Sequence, residues 1–458
     1  METRKKLFRM TPARLIPISF LAAILIGTLL LLLPVCTAHD MHTDFLTALF
    51  TATTSVCVTG LVVVDTFSHW STVGHAVILL LIQIGGLGIV AVLSFLALMF
   101  RRRFSLSGRA LLQDAFGLDT HLGMIRFLRR VFLSTLIVEG TGAILYAFSF
   151  VPRYGMLRGL WISCFTAISA FCNAGIDLLG SDSLIPYQQD PAVLMTTVLM
   201  IVLGGLGYVV WFDLLDSNLT GMKKKLSLRM TLSRLGEHTK AVLVLTFGLI
   251  LSGTVFFYLA ERNNPDTLGN LPLADQLMGA LFQSVTLRTA GFAAVPQGSL
   301  TPASTLVSLL LMFIGGSPIG TAGGVKTVTL FLVVLNAWSF IHSRDETIIF
   351  NRRVPEELMR RSAAIVTVSF GAVFLLSCLL LSVCPLDITD AVYEITSACA
   401  TVGLTRGITA SLNTAGRLVV ILAMYLGRIG PISMVLFFSR SSVQENRIRH
   451  AAGRFYAG

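Results

Sequence analysis

Ionisable side chains are scarce in this chain. Only 13% of its 458 residues are Asp, Glu, Lys or Arg, against 54% hydrophobic. Soluble domains carry about 25% charged residues, so this composition excludes a chain wetted on all sides. The seven cysteines form no Cys-x-x-Cys pair and the eight histidines no ligand spacing, which leaves neither a disulfide framework nor a zinc site in view. Cys57 and Cys172 read as small apolar packing residues. What the sequence has instead is apolar runs, several reaching the roughly 20 residues that a membrane-spanning helix needs. The run 15–33 is followed by no Ala-x-Ala-type cleavage site and reads as a retained span, not a removed signal peptide.

The net charge of +11 is explained by where the basic residues stand. Of 35 Lys and Arg, 27 lie in the segments 1–14, 101–130, 213–240, 342–361 and 439–458. Basic residues gather on the cytoplasmic side of membranes, so both termini and three loops are expected inside a multi-pass plasma-membrane protein. No nucleic-acid partner is expected, because the bilayer rule already accounts for the charge.

Between these basic segments lie four related stretches, Thr54–Asp65, Ser169–Asp177, Ser284–Phe292 and Ser397–Leu404, centred on Gly60, Gly175, Gly291 and Gly403. The glycines follow one another at 115, 116 and 112 residues, and a near-constant period marks repeated structural units. Each unit reads as an outgoing helix, a short helix, a glycine stretch and a returning helix. The outgoing helices are 14–33, 131–150, 241–260 and 362–383, and the short ones 43–56, 158–172, 273–286 and 389–400. The returns are 75–100, 192–212, 303–341 and 416–438. The units divide the chain into 1–103, 104–222, 223–345 and 346–458. The expected fold is therefore all-α and polytopic: four tandem repeats of membrane helix, pore helix, filter loop and membrane helix around a pseudo-fourfold pore.

A short helix that stops inside a bilayer leaves backbone exposed at a depth where only protein or a water-lined cavity can shelter it. Its C-terminus carries partial negative charge that favours a cation. The residues after it can present carbonyls in place of an ion's hydration shell, with glycine permitting the backbone angles. The candidate ion-binding residues are the triplets ending at each glycine: Val58, Thr59 and Gly60; Asn173, Ala174 and Gly175; Thr289, Ala290 and Gly291; Thr401, Val402 and Gly403. The lack of carboxylates in the triplets argues against divalent selectivity. Arg288 is expected behind its loop as a brace. Asp65 and Asp177 read equally as solvated loop acids or as a cation-concentrating pair. Glu139, Lys326 and Arg428 are sparse at membrane depth and form no catalytic set, so no enzyme is expected.

The four glycine stretches resemble those of the Trk/Ktr/HKT potassium transporter superfamily, as do Ile84–Gly88 and Leu203–Gly207, each with the pattern Gly-Gly-Leu-Gly, and the run Gly315–Thr327. The chain looks like a Ktr-type ion-translocating membrane subunit, since it begins at the first unit without extra leading helices. The resemblance implies potassium uptake through filter carbonyls, stimulated by sodium, with no other cofactor in this chain. It also implies a homodimer in membrane lipid, under a cytosolic nucleotide-binding regulatory ring of RCK type. Ile176 and Leu404 replace an aromatic after the filter glycine, and each filter has one glycine where potassium channels have two, which implies looser selectivity over sodium. The alternative is a sodium- or proton-coupled carrier of another small solute. Such folds usually contain inverted repeats, whereas these units all run the same way. The Gly-Gly-Leu-Gly runs are expected inside spanning helices as close-packing sites, not as nucleotide loops.

The third returning segment, 303–341, would extend nearly 60 Å as one helix, about twice the hydrocarbon thickness. Five glycines and Pro318 between Gly315 and Gly324 preclude a regular helix there. One reading is a kinked helix projecting into the cytosol. The resemblance implies instead an intramembrane gating loop below the filter, made of Gly315, Gly316, Ser317, Pro318, Gly320, Thr321, Ala322, Gly323 and Gly324, with Lys326 and Arg428 as its cations.

The expected orientation is checked by single cysteines at Ser107, Ser227 and Ser343 in intact cells. A membrane-impermeant maleimide should label none of them until the cells are opened, and labelling from outside overturns the topology.

Overall fold

The computed structural model describes residues 12–39, 41–89, 91–92, 124–223, 227–344 and 346–430. The basic stretch 101–123 with Ser107, the far part of the first return helix and the tail from 431 lie outside them. The described fold is almost wholly helical, apart from a two-stranded hairpin that pairs Ile348–Ile349 with Arg352–Arg353.

The helices follow the fourfold order. Unit one has α1 (Pro12–Leu31), the short α2 (Phe45–Cys57), a single turn α3 (Thr66–His69) and the return helix α4 (Thr72–Leu87). Unit two has α5 (Met124–Tyr154), the short α6 (Met156–Cys172), then α7 (Pro191–Leu206) and α8 (Tyr208–Lys223). A six-residue α9 (Leu228–Ser233) leads to unit three: α10 (Glu237–Glu261), the short α11 (Leu273–Thr286), α12 (Pro302–Phe313) and α13 (Thr327–Ile341). Unit four has α14 (Glu356–Val383), the short α15 (Ile388–Ala400) and α16 (Thr414–Ile429).

Among the described residues, α5, α10 and α14 are long and apolar enough to cross a membrane alone, and α7 with α8 makes a fourth if the bent pair counts as one. Together with the remaining apolar helices they make an integral membrane protein. The first, second and fourth returns differ from the single spans that the hydropathy predicts, and the third breaks where its glycines and proline require. Each stops at a glycine or beside one: α4 at Gly88, α7 at Gly207 and α16 at Gly430, all with φ of 87–88°, and α12 just before Gly315. Between α7 and α8 the chain bends by 95°. The Gly-Gly-Leu-Gly runs therefore close helices and do not lie within them, because the last glycine takes a left-handed angle that other residues enter only at a cost of about 1–2 kcal/mol.

Polarity is inverted relative to a soluble bundle. Side chains such as Leu136, Phe148, Phe247 and Phe370 are 65–75% exposed on the outer helices, as suits a surface wetted by lipid. The short helices are the core: Phe50, Phe165, Phe171, Phe282 and Tyr393 have no accessible surface. Several acidic groups sit at helix starts. Asp44, Asp387 and Asp190 accept hydrogen bonds from the first backbone N–H groups of α2, α15 and α7, satisfying donors that have no partner within the helix.

The other glycines of these runs let the returns approach the short helices. A Cβ on Gly85, Gly204 or Gly427 would strike the carbonyl oxygen of Val56, Phe171 or Cys399, respectively. Each of those carbonyls lies four residues before its loop glycine, so the return helix touches the end of the short helix of its own unit.

Candidate functional site

Four non-helical loops meet where α2, α6, α11 and α15 end. Their shared backbone pattern is legible in the dihedral angles. Val58, Asn173, Thr289 and Thr401 have φ of 55°, 57°, 71° and 52°, and Gly60, Gly175, Gly291 and Gly403, two residues later, have φ of 100°, 63°, 85° and 97°. The residue between them keeps an ordinary negative φ in every loop. A non-glycine residue in the left-handed region is uncommon, and four at equivalent places mark a geometry that the surrounding packing enforces.

What enforces it is a hydroxyl-bearing residue in each short helix. Thr59, Ala174 and Val402 donate their backbone N–H to the carbonyls of Thr54, Ser169 and Ser397 at 2.8–2.9 Å, and Ala290 donates to that of Thr286 at 2.9 Å. The side chains close the loops from behind. Gly60 N–H donates to Thr54 Oγ1 (2.9 Å), Ile176 N–H to Ser169 Oγ (3.1 Å) and Gly403 N–H to Ser397 Oγ (3.0 Å), while Thr286 Oγ1 donates to the Phe292 carbonyl (2.6 Å). The sequence reading passed over these four residues, although in three units the signal is a hydroxyl six places before the glycine. Arg288, expected as the brace of the third loop, is buried at 8% exposure and makes no side-chain hydrogen bond among the described residues. Thr286 braces that loop, since its hydroxyl reaches the carbonyl beyond the glycine.

The loops close a ring. A Cβ built on Gly60 lies 2.6 Å from the carbonyl oxygen of Ala174, and one on Gly175 lies 2.6 Å from that of Ala290. One on Gly291 would overlap the oxygen of Val402, and one on Gly403 that of Thr59. Each glycine thus faces the carbonyl of the residue before the next glycine, in the order one, two, three, four and back to one. Among the described residues, the side-chain oxygens of Thr59, Asn173, Thr289 and Thr401 in these loops are buried without a hydrogen-bond partner. An unpartnered buried oxygen costs about 1–3 kcal/mol, and the ring of backbone carbonyls is itself an oxygen set suited to a partly dehydrated cation.

Above the ring lies a cavity of about 350 Å³, whose lining includes the four glycines, Asp65 and Asp177. Both acids are also held by their own loops. Asp65 accepts from the N–H groups of Phe67 and Ser68, and Asp177, 8% exposed, accepts from Leu179 N–H (3.1 Å) and Ser183 Oγ (2.5 Å).

Beneath the ring runs the segment between α12 and α13. Gly315 N–H donates to the Val325 carbonyl and Thr327 N–H to that of Gly316, so the segment leaves and rejoins at one neck. Ser317 and Thr321 donate N–H to the carbonyls of Gly205 and Gly204, and Tyr208 N–H donates to the Ile319 carbonyl. Backbone freed where α7 breaks at Gly207 is thereby satisfied by this loop. Pro318 and Gly320 flank the contact: a Cβ on Gly207 would meet the Pro318 oxygen at 2.5 Å, and one on Gly320 the Gly204 oxygen at 2.9 Å. The tip touches the site, because Asn173 Nδ2 donates to Thr321 Oγ1 at 2.9 Å and a Cβ on Gly323 would overlap Thr401 Oγ1. Two cations hold the loop. Lys326 Nζ donates to the Ala322 carbonyl (2.6 Å), and Arg428 donates through Nη1 to the Thr321 carbonyl (2.8 Å) and through Nη2 to the carbonyls of Gly85 and Gly86. The kinked-helix alternative for 303–341 does not describe this path. Gly324, with φ of 65°, turns the chain back toward Gly315.

Comparison with known proteins gives the same outline. The family model described as "TrkH: Cation transport protein" matches residues 5–448. The Ktr system potassium uptake protein B of Bacillus subtilis is 35% identical over 99% of this chain and 98% of the relative. Its namesake in Vibrio alginolyticus is 37% identical over 93% and 91%. The potassium/sodium uptake protein NtpJ of Enterococcus hirae is 34% identical over 93% and 92%. The crystal structure of the potassium transporter TrkH from Vibrio parahaemolyticus superposes with a TM-score of 0.72, covering 95% of this chain and 86% of that one at 16% identity; at that identity it supports the fold alone.

The ring geometry separates two glycine substitutions that backbone angle alone would rank together. Gly88 and Gly291 have φ of 87° and 85°, but a Cβ on Gly88 has open space and one on Gly291 overlaps a carbonyl. Gly88→Ala should lose about 1 kcal/mol, the left-handed penalty. Gly291→Ala should lose more and displace the fourth loop. Thermal unfolding in detergent compares them, and equal losses contradict the closed ring.

Proposed function

Since the chain belongs to the TrkH cation transport protein family, whose members are transporters and not enzymes, we propose that it takes up potassium across the plasma membrane. The observation that carries this reading is the closed order of the four loops, each glycine against the next loop's carbonyl. In this reading the four units surround a pore, and Val58–Gly60, Asn173–Gly175, Thr289–Gly291 and Thr401–Gly403 are its filter. Their carbonyls replace the water of a potassium ion while the short-helix C-termini stabilise its charge. Sodium is the second candidate ion, in keeping with the name of the Enterococcus hirae relative.

The loop Gly315–Gly324 is the gate. Directly beneath the filter, it blocks the axis, and Arg428 adds a positive charge there while tying the loop to α4 through the Gly85 and Gly86 carbonyls. A half-buried cation bonded only to neutral carbonyls repels a passing potassium ion and is costly at membrane depth unless functional. Opening requires those bonds to break. A homodimer with both termini in the cytosol, sodium stimulation and docking of a nucleotide-binding ring on the basic loops complete the proposal. They rest on family resemblance and charge distribution.

The test is uptake of labelled rubidium by cells that lack their own potassium systems, with and without sodium. Uptake suppressed by potassium supports the reading, whereas uptake of an organic solute driven by sodium or protons supports the carrier alternative. Replacing Gly175 with Ser should lower the potassium-to-sodium uptake ratio on the order of tenfold, equivalent to about 1.4 kcal/mol. An unchanged ratio removes Gly175 from the filter.

For the gate, Arg428→Ala and deletion of 317–323 should both raise rubidium flux when no regulatory subunit is present. Breaking one charge-assisted bond to a carbonyl is worth about 1.5–3 kcal/mol, or roughly ten- to a hundredfold in the open fraction. Correctly inserted variants with unchanged or lower flux would leave the loop a packing feature only.

A further inference from the structure

A second cavity, of about 200 Å³, lies beside the neck of the intramembrane loop, between that neck and the long helix α14. Val325 and Lys326 line one wall and Arg361, Ile365, Ser369 and Ala372 another, with Cys399, Ala400, Leu426 and Gly427 of unit four completing the lining. The α14 residues are spaced by four, four and three, which puts them on one face of the helix. Ile365, Ser369 and Ala372 are half-buried and Arg361 is exposed. The stripe therefore opens outward, next to Phe370 and Phe374, which are 65% and 60% exposed on the lipid-facing side.

Length, polarity and charge point to one occupant. From Arg361 to Ala372 the stripe rises roughly 16 Å at 1.5 Å per residue, matching the ~15 Å of hydrocarbon in one leaflet. Its cytoplasmic end is cationic and the rest largely apolar. The ion pairs at this helix start join Glu356 to Arg353 and Arg360. Arg361 has no ion pair or hydrogen bond among the described residues, and neither does Glu357 one turn before it. An unpaired guanidinium at headgroup depth suits a phosphodiester.

We propose that this cavity binds one acyl chain of an anionic phospholipid, with its phosphate on Arg361, and that the bound chain holds the intramembrane loop in the position seen here. The cavity is the open side of the neck where Val325 bridges Ile314. A loop in a close-packed interior can shift only into unfilled space, so a chain seated against Val325 removes that space. Burying about two methylenes there biases a two-state loop roughly tenfold toward the closed arrangement. The effect on flux rests on the uptake reading above, whereas the binding does not.

The experiment uses the full chain in proteoliposomes of zwitterionic phosphatidylcholine, with or without one part in four of phosphatidylglycerol. Native mass spectrometry counts bound lipid and rubidium flux reports the loop. Wild-type protein should retain phosphatidylglycerol, whereas Arg361→Gln and the cavity-filling Ser369→Trp should release it. Phosphatidylglycerol should lower wild-type flux several-fold and leave the flux of Arg361→Gln unreduced, with Ser369→Trp low in both lipids. Surface potential acts in the opposite direction, because an anionic membrane concentrates rubidium and raises flux equally for all three proteins. Equal lipid retention by the three proteins overturns the site, as does a protein in place of lipid on this face. Flux that is present but indifferent to phosphatidylglycerol overturns the regulatory role. No flux in either lipid from wild-type protein or from Arg428→Ala overturns the uptake reading and leaves the binding result standing.

Discussion

Non-helical backbone in the middle of a membrane must find all its hydrogen-bond partners within the protein, and the rest of this structure follows from that requirement. Four short helices end together in the interior, and each end leaves carbonyls and N–H groups that lipid cannot satisfy. The N–H groups are taken up from behind by Thr54, Ser169 and Ser397 and the backbone of their short helices, with Thr286 serving the third loop. The donors are thus used on the outside of the ring, and oxygen atoms are left in excess at its centre. A site rich in oxygen and poor in donors suits a cation, and it arises here without any carboxylate in the loops.

The same requirement explains the intramembrane loop. Breaking α7 at Gly207 and interrupting the third return at Ile314–Lys326 would each strand polar backbone in hydrocarbon. The two breaks face one another, and Gly204, Gly205 and Tyr208 exchange hydrogen bonds with Ser317, Ile319 and Thr321. Arg428 and Lys326 satisfy two further carbonyls of the loop, those of Thr321 and Ala322. Because the loop is held by a handful of such bonds and not by a regular ladder, a few kcal/mol decide where it lies. In the proposed reading it is the moving part of a protein whose short helices are fixed by buried aromatic packing.

Glycine does three separate jobs here, and only position tells them apart. In the loops it supplies left-handed angles and room for the neighbouring carbonyl. In the return helices Gly85, Gly204 and Gly427 give the close approach to the short-helix ends. At Gly88, Gly207 and Gly430 it ends the helix. The Gly-Gly-Leu-Gly runs combine the second and third jobs within four or five residues, so a reading of them as packing sites within a continuous helix was incomplete.

Hydropathy determined the helical membrane class, and the period of the four glycine stretches picked out Gly60, Gly175, Gly291 and Gly403, the glycines of the ring, because those signals are local and recur along the chain. The glycine and proline content of 315–324 likewise showed that the third return must break. Tertiary structure alone decided the partners. The resemblance set Arg428 at this loop but not at the Thr321 carbonyl, 107 residues away, and nothing in the sequence sets Asn173 against Thr321, 148 residues away. Nor does it show that Thr286 and not Arg288 closes the third loop, or that Asp65 and Asp177 both line the outer cavity while anchoring their own loops. Helix breaks at glycine were visible as composition but not as breaks, since whether a glycine bends a membrane helix depends on whether another segment satisfies the backbone it frees.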